Sequence, residues 1–81
     1  MSSPLRVLLY TEAFDPKVGG VVTSTRLLAS YLHDQGVHVT VTTGTAGAGT
    51  RVYPFAVERC CPAERLQMLV RDTDVVHLQT F

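Results

Sequence analysis

The stretch that most constrains this chain runs from Val7 to Gly20, VLLYTEAFDPKVGG, where a short apolar run breaks into a polar loop and closes on two adjacent glycines. Val7, Leu8, Leu9 and Tyr10 carry no polar alternation and are too few for a helix core. Such a run suits a strand buried on both faces of a parallel sheet. Asp15, Pro16, Gly19 and Gly20 supply turn chemistry, and a helical pattern begins directly behind them. Strand, glycine loop and helix is the order in which open α/β sheets present helix N-terminal N–H groups to phosphate-bearing ligands, outside the carboxyl ends of the strands.

The helical pattern covers Val21 to Gln35. Val21, Leu28, Tyr31 and Leu32 fall near one face, with Leu27 widening it, and Gly36 is placed to end the helix in the left-handed conformation. Val37, Val39 and Val41 then alternate with His38, Thr40 and Thr42 in VHVTVTT, a β-branched run that reads as a second strand. Gly44 to Thr50 is a small-residue loop, and a third strand is expected at Arg51 to Tyr53, cut short because Pro54 cannot donate to a central ladder. Pro62 suits a first helical position, and Ala63, Leu66, Leu69 and Val70 recur at helical spacing through Arg71. A fourth strand is expected at Asp74 to Leu78. The sum is β, α, β, β, α, β. Its crossovers predict an α/β, Rossmann-like doubly wound parallel sheet, incomplete, with about four strands in the order 3-2-1-4 and two helices.

Composition narrows what this unit can meet. Seven basic and seven acidic side chains leave no net charge in 81 residues, which argues against nucleic acid, since a phosphate-binding surface shows a basic excess. Leu5 to Tyr10 is far shorter than the roughly 20 apolar residues that span a bilayer, and MSSPLR carries no signal-peptide pattern. Cys60 and Cys61 are adjacent, a spacing that rarely meets disulfide geometry, and no spaced cysteine framework exists; a reducing, cytoplasmic setting is expected. A chain this short buries only about 60% of its unfolded surface, and parallel sheets need both faces covered. The sequence is therefore expected to be a fragment, or a piece that needs a partner chain to complete its sheet.

Several residues carry candidate chemistry, each beside a plainer reading. Gly19 and Gly20 permit close backbone approach and positive φ, as a diphosphate cradle requires; a Gly pair is also an ordinary turn. Lys17 can add a point charge to phosphate or stand solvated. Glu12 and Asp15 lie at a strand's carboxyl end, where carboxylates also serve turns; neither is assigned as a general base. His77, near the end of the fourth strand, is placed to touch sugar or phosphate or to be satisfied by backbone. His33 and His38 read as helix-surface and strand residues. GTAGAGT has the spacing G-x-x-G-x-G and leads into a strand, so it fails the dinucleotide fingerprint, and no P-loop occurs. No His or Cys pair has metal-ligand spacing, no metal or cofactor is assigned, and Ser24 lies in no G-x-S-x-G elbow.

With these residues in view, the chain resembles the N-terminal part of a family 4 retaining glycosyltransferase of the GT-B type. Four pieces in order carry the likeness: RVLLYTEAFDPKVGGV, the L-L-A-x-x-L helix ending at Gly36, GVHVTVTT, and DVVHLQ, which is similar to the family's D-V-V-H-x-H. The resemblance implies the acceptor-side domain, with Gly19 and Gly20 facing a sugar-nucleotide diphosphate and acceptor across an interdomain cleft and His77 at the bottom of that cleft. It implies a nucleotide-sugar donor and a glycosyl acceptor as partners and no metal requirement. Val22 stands where many members have Glu, and Gln79 where a second His is frequent, so acceptor identity stays open. The family's C-terminal nucleotide domain, with its paired glutamates, has no counterpart in these 81 residues, so this piece alone is expected to be inactive and no catalytic residue is assigned. Two other readings stand beside this one. The first is a stand-alone flavodoxin-like module holding a mononucleotide or acting as a receiver, for which RVYPF lacks the expected acidic strand end. The second is a non-catalytic subunit completing its sheet with another chain.

Overall fold

A computed structural model describes residues 5–14, 19–46 and 53–79. Six elements follow in order: β1 (Arg6–Thr11), α1 (Gly20–Asp34), β2 (His38–Thr43), β3 (Ala56–Arg59), α2 (Ala63–Arg71) and β4 (Val75–Leu78). The four strands form one sheet in the order β3-β2-β1-β4, and each neighbouring pair is parallel. The α/β class, the all-parallel sheet and the order 3-2-1-4 are those expected from the sequence.

β1 is the central strand, and its composition follows from that position. Val7, Leu8 and Leu9 are consecutive and all buried, because one face lies under α1 and the other turns toward α2. The core proper sits on the α1 side, where Val7, Leu9, Val39 and Val41 meet Ala29, Phe14 and Phe55. The other side is thinly covered: α2 has no buried residue, and a groove of about 460 Å³ runs between it and the sheet, bounded by Arg6, Leu8, Thr40, Glu58, Arg65 and Leu69.

Three local expectations are corrected. The third strand is Ala56–Arg59, not Arg51 to Tyr53; Arg51 and Val52 lie outside the described residues, and Tyr53 lies outside any strand. Pro54 therefore precedes the strand, so every residue that must donate to β2 keeps its N–H. The buried face of α1 is Val22, Thr25 and Ala29, with Leu28 and Leu32 packed against the core. Leu27 and Tyr31 are exposed instead, because the sheet selects small side chains where helix and strands approach closely. Pro62 is the residue before the first helical position of α2, with extended backbone. Gly36 does take positive φ, at 85°, and ends α1 as expected, with its N–H bonded to the His33 carbonyl at 3.0 Å.

Candidate functional site

The carboxyl edge of the sheet gathers the ends of β1, β2 and β4. β1 has β2 on one flank and β4 on the other; the chain leaves β1 through α1 toward β2, while β4 is reached from β3 on the far side through α2, so the strand order reverses beside β1, the arrangement at which open α/β sheets leave a crevice. The β1–α1 loop starts there. Its first residues are held by hydroxyl groups of β2 and its extension. Thr43 Oγ1 and Thr45 Oγ1 both donate to the Glu12 carbonyl, at 3.1 and 2.8 Å, and the Phe14 N–H donates to Thr45 Oγ1 at 3.2 Å. Thr11 Oγ1 donates to the Ala13 carbonyl at 2.9 Å. Thr11, Thr43 and Thr45 are buried, and so is Phe14. The Phe14 ring packs against Tyr53 at 5.5 Å between centroids, and the Arg59 guanidinium lies over it at 5.7 Å.

This frame was not apparent from the sequence. Phe14 lies between elements, where periodicity is silent, and Thr43 and Thr45 read only as the polar end of a strand and a small-residue loop. The signal that could have found them is the density of threonines at 42, 43 and 45, just where a strand meets a loop.

Beyond the frame, Gly19 precedes the first residue of α1. Its φ of 161° is extended backbone, and of the described glycines only Gly36 lies in the left-handed region. The expected use of positive φ at Gly19 and Gly20 is therefore corrected: neither adopts the left-handed conformation. A Cβ placed on either would meet nothing within 4 Å among the described residues, so their packing does not require glycine there. Among the described residues no side chain caps α1, and its first turn holds no acidic residue. The early N–H groups of this helix thus face the edge, the electrostatic setting in which helix starts receive negative charge. Asp15, Pro16 and Lys17 lie outside the described residues.

His77 lies on β4 in register with Leu9, which places it on the α1 face of the sheet, since paired residues share a face. It is exposed. Its Nε2 is 2.8 Å from Gln79 Oε1; an amide oxygen only accepts, so Nε2–H donates and Nδ1 is the free acceptor of the neutral ring. The Gln79 N–H donates to the Tyr10 carbonyl at 2.8 Å and carries the β1–β4 ladder to the edge. Gln79 therefore orients His77. The glycine pair and His77 stand at the same end of adjacent strands, and no hydrogen bond among the described residues joins them. Glu12 is exposed at this edge; its carbonyl, not its carboxylate, serves the frame. His33 and His38 are exposed on α1 and β2, away from it. Neither the glycines nor His77 border the groove beneath α2.

Elsewhere, Arg65 pairs with Glu58 across the start of α2, its Nε donating to Glu58 Oε1 at 2.8 Å. That hydrogen-bonded guanidinium holds the Glu58 carboxyl below its ordinary value of 4.5, against a smaller opposing effect of burial. Among the described residues, no group of three or more His, Cys, Asp or Glu side chains could hold a metal ion, and no helix is long and apolar enough to cross a membrane. No family model, curated protein or solved structure matches this chain.

Proposed function

We propose that this chain is the N-terminal, acceptor-side part of a family 4-type retaining glycosyltransferase, a half-site that needs a second nucleotide-binding domain to transfer sugar. The observation that carries the reading is the position of the glycine loop, directly after the central strand of a 3-2-1-4 parallel sheet and beside the strand that bears His77. In this reading Gly19 and Gly20 let the donor diphosphate come close to the backbone at the start of α1, and His77, oriented by Gln79, offers its free Nδ1 to a sugar or acceptor hydroxyl. The donor is a nucleotide sugar and the setting is cytoplasmic. Zero net charge supports a small-molecule partner over nucleic acid.

Reading the encoding DNA beyond the codon for Phe81, in every frame, tests the proposal. A second Rossmann-like domain carrying paired glutamates is expected; a stop followed by unrelated sequence overturns it. The flavodoxin-like alternative fits less well, because that core runs 2-1-3-4-5 and would place the third strand, not the fourth, beside the first. Titration with flavin mononucleotide and nucleotides decides between them, since a stand-alone module binds one of these saturably. One observation favours the partner-chain reading as a complement to the first: β4 leaves Val75, Val76 and Leu78 exposed at 45%, 43% and 65%. A sheet with that edge gains from further polypeptide laid beside it.

A further inference from the structure

Cys60 and Cys61 follow β3 at the carboxyl end of the sheet, and both are free thiols, the first exposed and the second half-buried. Adjacent residues in extended backbone project to opposite faces, which would keep their sulfurs apart. Here the alternation is broken. Cys60 has φ 51° and is the one described non-glycine residue with positive φ, a conformation uncommon outside glycine, asparagine and aspartate. Its N–H donates to the Thr43 carbonyl at 2.8 Å, so the kink is fixed to the end of β2.

Both thiols consequently return to the same strand end. Cys60 Sγ donates to the Gly44 carbonyl at 3.3 Å. Cys61 Sγ accepts from Thr42 Oγ1 at 3.8 Å and donates to Glu58 Oε1 at 3.7 Å. The Cα atoms of adjacent residues are only about 3.8 Å apart across a trans peptide, so rotation about the two Cα–Cβ bonds can bring both sulfurs within reach of one atom. Two sulfurs that share one strand end through a fixed backbone kink are arranged to grip one thiophilic atom together.

We propose that Cys60 and Cys61 form a vicinal dithiol site that captures a single trivalent, thiophilic centre of the monosubstituted arsenical class between both sulfurs. In the capture step two As–S bonds form and the two bonds from arsenic to oxygen break. The two thiol protons leave with that oxygen as one water, and arsenic stays trivalent. The Glu58 carboxylate accepts the Cys61 S–H and so orients that thiol within the site. The site is independent of the glycosyltransferase reading.

Phenylarsine oxide added to the 81-residue chain, followed by intact mass, tests the site. One arsenical per chain is expected to block both cysteines toward N-ethylmaleimide, to survive excess glutathione, and to leave with a dithiol. Cys60→Gly, which suits the positive φ, and Cys61→Ser are each expected to lose glutathione resistance. Because any adjacent cysteine pair has some affinity, the same release is timed in buffer and in denaturing urea. Release at least about tenfold slower in buffer is expected of a preorganised site. Equal release in both solvents overturns the proposal, as does a single variant that holds the arsenical as firmly as the parent chain.

Discussion

The Thr45 hydroxyl stands between two backbone groups of the β1–α1 loop, accepting from the Phe14 N–H and donating to the Glu12 carbonyl. Both its partners are loop groups with no ladder to fall back on. Thr45→Val keeps the shape and removes the hydroxyl, leaving a buried amide unpaired, so a loss of about 1–3 kcal/mol is expected in urea unfolding, and Thr45→Ser is expected to recover most of it. Phe14→Ala is expected to cost about 3–5 kcal/mol, a large share of what so small a domain has; circular dichroism of that variant should report a largely unfolded chain. The candidate residues differed in legibility for a physical reason. Gly19, Gly20 and His77 are visible in sequence because each sits at a fixed offset from a strand. Phe14 and Thr45 are not, because what matters about them is a contact between segments about 30 residues apart, and spacing encodes only neighbours.

Among the elements, α1 and α2 differ most. α1 buries Val22, Thr25 and Ala29 against β1 and β2, whereas α2 has no fully buried residue and is tied down at its start by Arg65 to Glu58 and at its far end by Arg6 Nη1 donating to the Asp72 carbonyl. Helical amides open with a free energy set by the packing they carry. Hydrogen exchange is therefore expected to protect the middle of α1 well and α2 poorly; equal protection would contradict this account. The Glu58–Arg65 pair adds a pH signature. Glu58 has a depressed folded value, so its contribution is present above the unfolded value and is lost as pH falls through the folded one. The difference in unfolding midpoint between the parent chain and Glu58→Gln, present at neutral pH, is expected to close as pH drops below 4.5. The elements themselves were largely legible, since VHVTVTT carries its own alternation and the apolar run at Val7 is unbroken yet too short for a helix core. β3 was not. AVER alternates too weakly to announce a strand, and Pro54 drew attention to the wrong side of itself; only the β2 edge decides where pairing begins.

At the scale of the molecule, the order 3-2-1-4 followed from crossover rules applied to element order, which is why topology was readable when the bounds of β3 were not. What those rules leave open is how well each face is covered. β4 pairs with β1 alone, and its apolar side chains stand in solvent on both faces. Sedimentation velocity of the chain is expected to reveal association that rises with concentration, and Val76→Lys with Leu78→Lys to shift it toward monomer by blunting the edge with charge; a parent chain that stays monomeric at every concentration contradicts this. The pairing of β1 with β4 also has a consequence for timing. Arg6 donates its N–H to Asp74, 68 residues further on, so β1 gains its second neighbour only after the residues between them have been made. Through that interval the most apolar strand has one flank bare, and non-local parallel pairing closes slowly. During synthesis, the segment most in need of shielding by a chaperone is therefore Val7 to Leu9, all three of which end up buried.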